Sequence, residues 1–267
     1  MRAIEMVVLD WAGTAVDFGC LAPVGVFREV FRRHGVEVTL AEARGPMGTH
    51  KREHIRQVAT LPRVQAAWRE AHGVDVTAAD VDAMYALATP LQVAVLPGYS
   101  TPIPGVVEMV ARLRERGITV ASNTGYNREM LDVVARCAAE LGYAPDAAIA
   151  ASEVPAGRPA PYMMWRLGER FGVTSAAAVV KVGDTPVDVH EGLNAGSWTV
   201  GIARTGNLVG LPEDELAALP VPEQAARVGA AREALLAAGA HIVIDSAATL
   251  DGALDTIAAW RREGRRP

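Results

Sequence analysis

The stretch VVLDWAGTAVDFG, residues 7–19, joins a short apolar run to a Gly-Thr turn through one aspartate, Asp10. An apolar run that meets turn residues at once is typical of a buried β-strand ending at a loop. A carboxylate at such a strand end is a candidate nucleophile, and many enzymes of this kind keep a second acid two residues later to protonate the leaving group. Ala12 stands at that position. The question is which reaction would need the first acid and not the second.

The composition is that of an ordinary globular protein, and it narrows the function classes. The chain has 267 residues, of which 50% are hydrophobic and 21% charged, and a formal net charge of −5. A net negative charge does not attract nucleic acid or an anionic membrane. Two cysteines make no disulfide framework. The run before Asp10 is too short for a signal-peptide core, and no stretch reaches bilayer length. We expect a cytoplasmic protein with no nucleic-acid or membrane partner.

Apolar runs and helical patterns alternate along most of the chain. After residues 6–11, β-type runs recur at 118–123, 147–152, 177–184, 198–203 and 241–245, and amphipathic patterns occupy 105–117, 128–142 and 161–172. Apolar strands that alternate with helices predict an α/β fold, a doubly wound parallel sheet covered on both faces. The Ala-rich segment 211–239 is also helical in pattern, and we expect it to be a surface addition.

One segment breaks this alternation. Between about residues 21 and 96 the sequence shows only helical patterns, and the segment ends at the Pro/Gly-rich stretch PGYSTPIPG, residues 97–105. We predict an α-helical cap domain over 21–96, inserted into an α/β core domain formed by 1–20 and 97–267.

Polar residues follow four of the predicted strands. They are Asp10, Thr124, Arg158 and the pair Asp184 and Asp188. In a doubly wound sheet, ligands bind outside the carboxyl ends of the strands. Carboxylates suit Mg²⁺, while a threonine at a helix start and an arginine suit phosphoryl oxygens. The set predicts aspartyl-phosphate chemistry in which Asp10 attacks phosphorus.

The same segments resemble a known superfamily. DWAGT (10–14), NTGY (123–126), GRPAP (157–161) and GDTPVD (183–188) are similar to the four motifs of the haloacid dehalogenase superfamily. The resemblance implies a Rossmann-like core with Asp10 as nucleophile and Thr124 and Arg158 as phosphate-binding residues. It also implies that Asp184 is a Mg²⁺ ligand and that Asp188 is an auxiliary acid. Ala12 departs from the phosphatases and phosphomutases of the superfamily, which carry the general-acid aspartate there.

The missing acid leaves two interpretations, a weakened phosphatase or an enzyme whose leaving group is not an alkoxide. An alkoxide needs a proton, and loss of the acid should slow a phosphatase by roughly two to four orders of magnitude. A carbon leaving group becomes tolerable when the next carbon is a protonated imine, which requires a lysine to condense with an aldehyde. Lys51, in RGPMGTHKREHIRQ (44–57), is the candidate, in the first turns of a predicted helix with His54 on the same face. Closure of the cap would bury the amine and lower its pKa.

DWAGTAVDFGCLAP (10–23) and RGPMGTHKREH (44–54) closely resemble the phosphonoacetaldehyde hydrolase (phosphonatase) family. The resemblance implies that Lys51 forms a Schiff base with the small-molecule phosphonate and that Mg²⁺ is held by Asp10, Asp184 and the backbone carbonyl of Ala12. It further implies 2-aminoethylphosphonate degradation and a homodimer. The sequence does not identify the group that activates each water; His54 and the released Lys51 amine are candidates. Family positions around the lysine or the substrate fall on Cys20, Met47 and His54, and Gly48 and Tyr126 are further candidate supporting residues.

Three other functions are compatible with parts of the sequence. HKREH (50–54) fits the H-x-x-E-H zinc-peptidase motif, but it lacks an evident third ligand and leaves the strand-end residues unexplained. A phosphate-ester phosphatase or phosphomutase of the same superfamily would work without Lys51. A binding or regulatory protein would not need a nucleophile, a cation and metal-binding acids together.

Overall fold

A computed structural model describes residues 4–267 and shows a six-stranded, fully parallel sheet. The strand order is β3-β2-β1-β4-β5-β6. The chain adds β2 and β3 on one side of β1 and then crosses to add β4, β5 and β6 on the other side, so a topological switch point lies between β1 and β4. Crevices open at such switch points, at the carboxyl ends of the strands. Every predicted β-type run holds a strand, and the predicted fold class is confirmed. The strands are β1 (Met6–Leu9), β2 (Thr119–Thr124), β3 (Ala147–Ala150), β4 (Val179–Gly183), β5 (Trp198–Ile202) and β6 (Ile242–Ile244).

The central strand β1 is apolar on both faces, as a doubly covered parallel strand requires. Val7 and Leu9 belong to the cluster formed with α6 (Val106–Glu115), α7 (Arg128–Glu140) and α12 (Leu250–Arg262). Met6 and Val8 face the opposite cluster, which includes α8 (Tyr162–Arg170). Helix α9 (Pro186–Asn194) packs against β4 and β5.

The segment 211–239 is a layer of the fold, and the expectation of a surface addition was wrong. It forms α10 (Glu213–Ala218) and α11 (Val221–Ala237). Val228, Ala231 and Leu235 of α11 are buried in one cluster with Val243 of β6. The alanine-rich composition masked this apolar stripe, because a helix of small residues has little contrast between its faces.

Five helices occupy the inserted segment and form a core of their own. They are α1 (Ala22–Arg33), α2 (Leu40–Arg44), α3 (Lys51–Ala59), α4 (Pro62–His72) and α5 (Ala78–Val95). Phe27, Phe31, Ile55 and Trp68 are buried in a cluster distinct from those of the sheet, and this supports our proposal that 21–96 is a separately packed cap. Neither α5, with 18 residues, nor any other helix of residues 4–267 is long and apolar enough to cross a bilayer.

Candidate active site

The predicted strand-end residues converge on one cleft at the carboxyl edge of the sheet, and the cap closes it. Asp10 follows β1, Thr124 ends β2 and Asp184 follows β4. The loop after β3 supplies Arg158, and the cap supplies Lys51. These five side chains are 1–7% exposed. The lining of the cleft comprises Asp10, Ala12, Cys20, Pro23, Met47, Gly48, Lys51, Thr124, Gly125, Tyr126, Arg158, Asp184 and Thr185.

Arg158 is the fixed cation of the cleft. Its Nη1 atom lies 2.7 Å from Oδ1 of Asp10 and 2.9 Å from Oδ1 of Asp188, in ion pairs whose side chains are at most 10% exposed. Burial opposes the charge, but Asp10, Asp188 and Glu191 raise the pKa of Arg158. Among the described residues, Nη1 has no aligned hydrogen-bond acceptor. Nη1 therefore lies beside Asp10, where it can also donate to the oxygens of a phosphoryl group that this carboxylate attacks.

The acids of the cleft fit a divalent cation. One oxygen from each of Asp10, Asp184 and Asp188 lies within 4.8 Å of the others. Burial raises the pKa of Asp10 and of Asp184, and the neighbouring carboxylates raise both further. With the Lys51 amine neutral, the buried cluster holds four acids against two cations, a formal charge of −2, namely Asp10, Asp184, Asp188 and Glu191 against Arg158 and Lys181. Buried charge needs compensation, and a divalent ion supplies +2.

The three carboxylates are not equivalent as ligands. Asp188 accepts a hydrogen bond from the Thr185 hydroxyl at Oδ2, while its Oδ1 faces Arg158 and Lys181. Burial works against ionisation of Asp188, but these two cations lower its pKa. Both oxygens of Asp188 are thus engaged with the protein. Within residues 4–267, Asp184 accepts only from neutral donors, the Thr14 hydroxyl and the Asn207 N–H, and Asp10 pairs with one cation, so these two carboxylates keep more uncompensated charge for a metal ion than Asp188 does.

The loop after β1 must approach Asp184 closely. Gly13 has a φ of +84°, and a Cβ there would overlap the Asp184 carboxylate. The Thr14 hydroxyl donates to Oδ1 of Asp184 at 3.2 Å, and the backbone N–H of Asn207 donates to Oδ2 at 2.7 Å. Glycine at residue 13 therefore serves both the left-handed turn and the space for the acid.

Lys51 is the first residue of α3, as the sequence predicts, and its amine is enclosed. Lys51 is only 4% exposed, and its Nζ atom lies 5.5 Å from the centroid of the Phe27 ring and 5.0 Å from that of the Tyr126 ring. Burial lowers the pKa of Lys51, and the charge of Arg158 lowers it further against opposing effects of nearby acids. A neutral, nucleophilic amine is therefore accessible nearer to neutral pH than for an exposed lysine.

His54 supports Lys51 from behind and does not line the cleft. Its ring stacks on Phe27 with centroids 3.8 Å apart, and Nε2 lies 2.9 Å from the carbonyl oxygen of Ala43. Lys51 and His54 thus share the Phe27 ring, which confirms that they lie on one side of α3. Burial and the charge of Lys51 push the pKa of His54 well below its ordinary value. The imidazole is therefore neutral, and its Nδ1 has no partner among residues 4–267.

The zinc-peptidase alternative finds no support in the geometry. His50 caps α3 through Nδ1, which accepts from the N–H of Arg52, and His54 is engaged with Ala43. In the described chain, the three aspartates of the cleft are the one group of potential ligand side chains whose ligand atoms lie within 4.8 Å of one another. The H-x-x-E-H match is therefore a sequence pattern without a metal site.

Thr124 is a strand residue, so the expectation that it opens a helix was wrong. Asn127 is the N-cap of α7, and its side chain accepts from the N–H of Met130. The Thr124 hydroxyl accepts from the N–H of Tyr126 at 3.1 Å. Its own hydrogen remains available for a phosphoryl oxygen. The three residues between Thr124 and α7 form the turn that brings Tyr126 under the cap.

Two glycines allow the cap loop to meet the core. Gly48 of the cap has a φ of +91°, and a Cβ there would lie 2.5 Å from the Thr185 hydroxyl oxygen. A Cβ on Gly125 of the core would overlap the backbone carbonyl of Thr49. Side chains at these positions would hold cap and core apart, so the closed cleft requires glycine at both positions.

Cys20 and Tyr126 line the cleft as neutral groups. Burial raises the pKa of the Cys20 thiol and of the Tyr126 phenol well above their ordinary values, and nearby carboxylates add to both shifts. Neither is a nucleophile in this state, because the thiolate and not the thiol is reactive. They supply shape and polarity around the Lys51 amine.

Sequence reasoning missed five polar residues that surround the site. Lys181 carried a visible signal, since a lysine inside a strand that is buried on both faces needs a partner. The other four look like ordinary surface or loop residues until the chain is folded. The five are Arg44, Asn123, Lys181, Glu191 and Asn207.

Comparisons with known proteins identify the family of this chain. A family model for haloacid dehalogenase-like hydrolases matches residues 4–196. The phosphonoacetaldehyde hydrolase of Nitratidesulfovibrio vulgaris is 47% identical over 99% of this chain and 94% of its own, and that of Paraburkholderia phytofirmans is 44% identical over 100% of both. A crystal structure of a phosphonoacetaldehyde hydrolase-like protein from Oleispira antarctica gives a TM-score of 0.97 at 40% identity, covering 99% of this chain and 96% of that one.

The fold, the strand-end residues and the family match define a haloacid dehalogenase-like hydrolase, an enzyme. Within that family the chain belongs to the phosphonoacetaldehyde hydrolases. The family predicted from the motifs is confirmed.

Proposed function

We propose that the protein hydrolyses the P–C bond of phosphonoacetaldehyde to acetaldehyde and phosphate, as a step in 2-aminoethylphosphonate degradation. One observation carries the proposal. The buried Lys51 amine and the Asp10 carboxylate line the same cleft, while the position of a general acid is taken by Ala12. This combination suits cleavage of a P–C bond, because the electrons of that bond enter an imine on the lysine and the leaving group needs no proton donor.

The first step is assigned to Lys51. Its neutral amine adds to the aldehyde carbon, water leaves, and a protonated imine forms at Nζ. Phe27 and Tyr126 present ring faces to this nitrogen, so the cation that forms is stabilised without a fixed counter-ion. The phosphonate group of the bound substrate then faces the core side of the cleft.

The second step is assigned to Asp10. One of its carboxylate oxygens attacks phosphorus, the P–C bond breaks, and its electron pair forms the carbon–carbon double bond of an enamine on Lys51. Arg158 and Thr124 donate to the phosphoryl oxygens as charge shifts among them. Mg²⁺, held by Asp10 and Asp184 with the carbonyl of Ala12, would neutralise phosphoryl charge when bound.

Two hydrolyses complete the cycle. Water cleaves the aspartyl phosphate to phosphate and Asp10, and the enamine takes a proton on carbon to give an ethyl imine. Water then releases acetaldehyde and restores the Lys51 amine. Of the two candidate bases for these waters, the released Lys51 amine lines the cleft, whereas His54 lies behind it, so the amine is the better placed.

Product release tests the proposal. Purified protein is incubated with phosphonoacetaldehyde, and acetaldehyde is read through a coupled alcohol dehydrogenase while phosphate is assayed in parallel. We expect equal amounts of the two products and dependence on Mg²⁺. Phosphate release from simple phosphate esters without acetaldehyde from the phosphonate would instead identify a phosphatase or phosphomutase.

A further inference from the structure

We infer that Glu191 is a positioning residue for Arg158, and that Asn123 and Lys181 hold Glu191 in place for this role. The inference rests on the proposed function only in treating Arg158 as the phosphoryl-binding cation. Glu191 lies on α9, is fully buried, and does not itself line the cleft.

Glu191 fixes the side of Arg158 that points away from the nucleophile. The Nε–H of Arg158 donates to Oε2 of Glu191 at 3.0 Å, and Nη2 donates to the backbone carbonyl of Asn123 at 2.7 Å. Nη2 also donates to the side-chain oxygen of Asn123. With Nε and Nη2 held, the planar guanidinium has one orientation, and it directs Nη1 toward Asp10.

Asn123 and Lys181 fix Glu191 in turn. The Asn123 amide donates to both carboxylate oxygens of Glu191, at 2.9 and 3.0 Å. The Lys181 amine donates to Oδ1 of Asn123 at 2.7 Å and lies 3.3 Å from Oε2 of Glu191. All three side chains are at most 1% exposed. The side-chain polar atoms of Asn123, Lys181 and Glu191 all have partners within the protein, so the fold determines their geometry.

The backbone is built to allow this contact. Gly192 follows Glu191 on α9, and a Cβ at Gly192 would lie 2.8 Å from Cβ of Lys181 on β4. The glycine thus lets α9 approach β4 closely enough for the carboxylate and the amine to meet. Because apolar side chains of similar volume often stabilise a protein as well as a buried ion pair does, the pairing of Glu191 with Arg158 and Lys181 points to a role beyond stability.

Binding of inorganic phosphate to the Mg²⁺-loaded protein, measured by calorimetry, tests the inference. Glu191→Ala should weaken phosphate binding at least tenfold, roughly the loss of one charge-assisted hydrogen bond. In an Arg158→Met background, the same substitution should change phosphate affinity by less than about twofold, because the group that it positions is gone. Glu223→Gln, which removes an exposed acid paired with Arg227, is the control and should bind phosphate as the wild type does.

Two further measurements separate positioning from folding. Glu191→Gln keeps the side-chain volume, so it replaces Glu191→Ala in the same cycle if the alanine variant does not unfold cooperatively. Borohydride trapping of the Lys51 imine should proceed in Glu191→Gln as in the wild type, because the amine site is separate from the phosphate site. Equal losses of phosphate affinity with and without Arg158, or wild-type affinity in both folded Glu191 variants, would overturn the inference. Phosphate binding does not require turnover, so a failure of the proposed function would show itself separately.

Discussion

The amine of Lys51 lies 5.0 Å from the centroid of the Tyr126 ring, and this contact joins a cap side chain to a core side chain. Lys51 begins α3 of the cap, whereas Tyr126 follows β2 of the core. Burial is the main cause of the lowered pKa of Lys51. The nucleophilic state of the amine is therefore a property of the closed cleft, and it should change when cap and core separate.

Lys51→Arg should abolish acetaldehyde release and leave the fold intact. The guanidinium keeps the positive charge, but its pKa is too high for it to form an imine at useful rates. Turnover should fall by at least about four orders of magnitude, while the thermal unfolding midpoint stays within a few degrees. Arg52→Lys, on the next residue and exposed in a pair with Asp82, is the matched control and should keep wild-type turnover. Normal turnover in Lys51→Arg would remove the imine from the mechanism.

Arg44→Met should move the pH dependence of turnover. Arg44 of the cap donates to the Gly210 carbonyl at 2.8 Å and to Oδ1 of Asn207 at 2.9 Å, and both acceptors belong to the core. Without these bonds the cap docks less firmly, water reaches Lys51, and the pKa of the amine rises toward its ordinary value. Because the neutral amine is the reactive form, the acidic limb of kcat/KM should shift to higher pH.

Arg28→Met is the control for this shift. Arg28 also lies in the cap and donates to a carbonyl, but its acceptor is Val38 of the cap itself. Its removal should leave the pH profile unchanged. Identical profiles for Arg44→Met and the wild type would show that the Arg44 contacts do not keep the amine buried.

Mg²⁺ should stabilise the folded protein. The buried cluster has a formal charge of −2, counted as four acids minus two cations. At a Mg²⁺ concentration a hundred times Kd, linkage predicts a gain of about 2.7 kcal/mol in the free energy of unfolding. A chelator should remove the gain, and Asp184→Asn should show little of it. Urea unfolding with and without Mg²⁺ measures the effect, and equal curves for the wild type would contradict the metal assignment.

Asp17 should make stability fall as the pH rises from about 4 to about 6. Burial raises the pKa of Asp17 from 3.8 to about 6, although its carboxylate accepts from the N–H groups of Leu21 and Ala22. Between these values the folded chain binds more protons than the unfolded chain, so the free energy of unfolding decreases with pH, by roughly 3 kcal/mol in total.

Asp17→Asn isolates this contribution. The amide does not titrate, so the difference between wild type and variant should favour the wild type more at pH 4 than at pH 7. Denaturant unfolding at several pH values provides the comparison. A difference that is constant across this range would show that the pKa of Asp17 is not raised by folding.

The strands and the residues that follow them were predictable from sequence for a simple physical reason. Each strand is an apolar run, and Asp10, Thr124 and Asp184 lie at the points where such runs end. Lys51 was recognisable for two reasons. An alanine at the general-acid position favours an imine mechanism, which needs a lysine, and the family resemblance places that lysine at residue 51. These are local signals, read within a few residues of each position.

The network behind Arg158 was not predictable in this way. Glu191 lies within an ordinary amphipathic helix, and Asn123 within a strand end, so neither stands out alone. Their function depends on the close approach of α9 to β4, which Gly192 allows. A local sequence pattern does not reveal such a distance between two elements. The helix start assigned to Thr124 was misplaced for a similar reason, since the Asn127 cap decides it.

The most direct measurement is to identify what borohydride leaves on Lys51 during turnover. The protein is mixed with phosphonoacetaldehyde, reduced, digested and mapped by mass spectrometry. In the wild type the account predicts an ethyl group on Lys51, because P–C cleavage precedes release. In Asp10→Ala it predicts a phosphonoethyl group, because the imine forms and the bond to phosphorus survives. An unmodified Lys51 in a wild-type sample that is releasing acetaldehyde would contradict the imine mechanism.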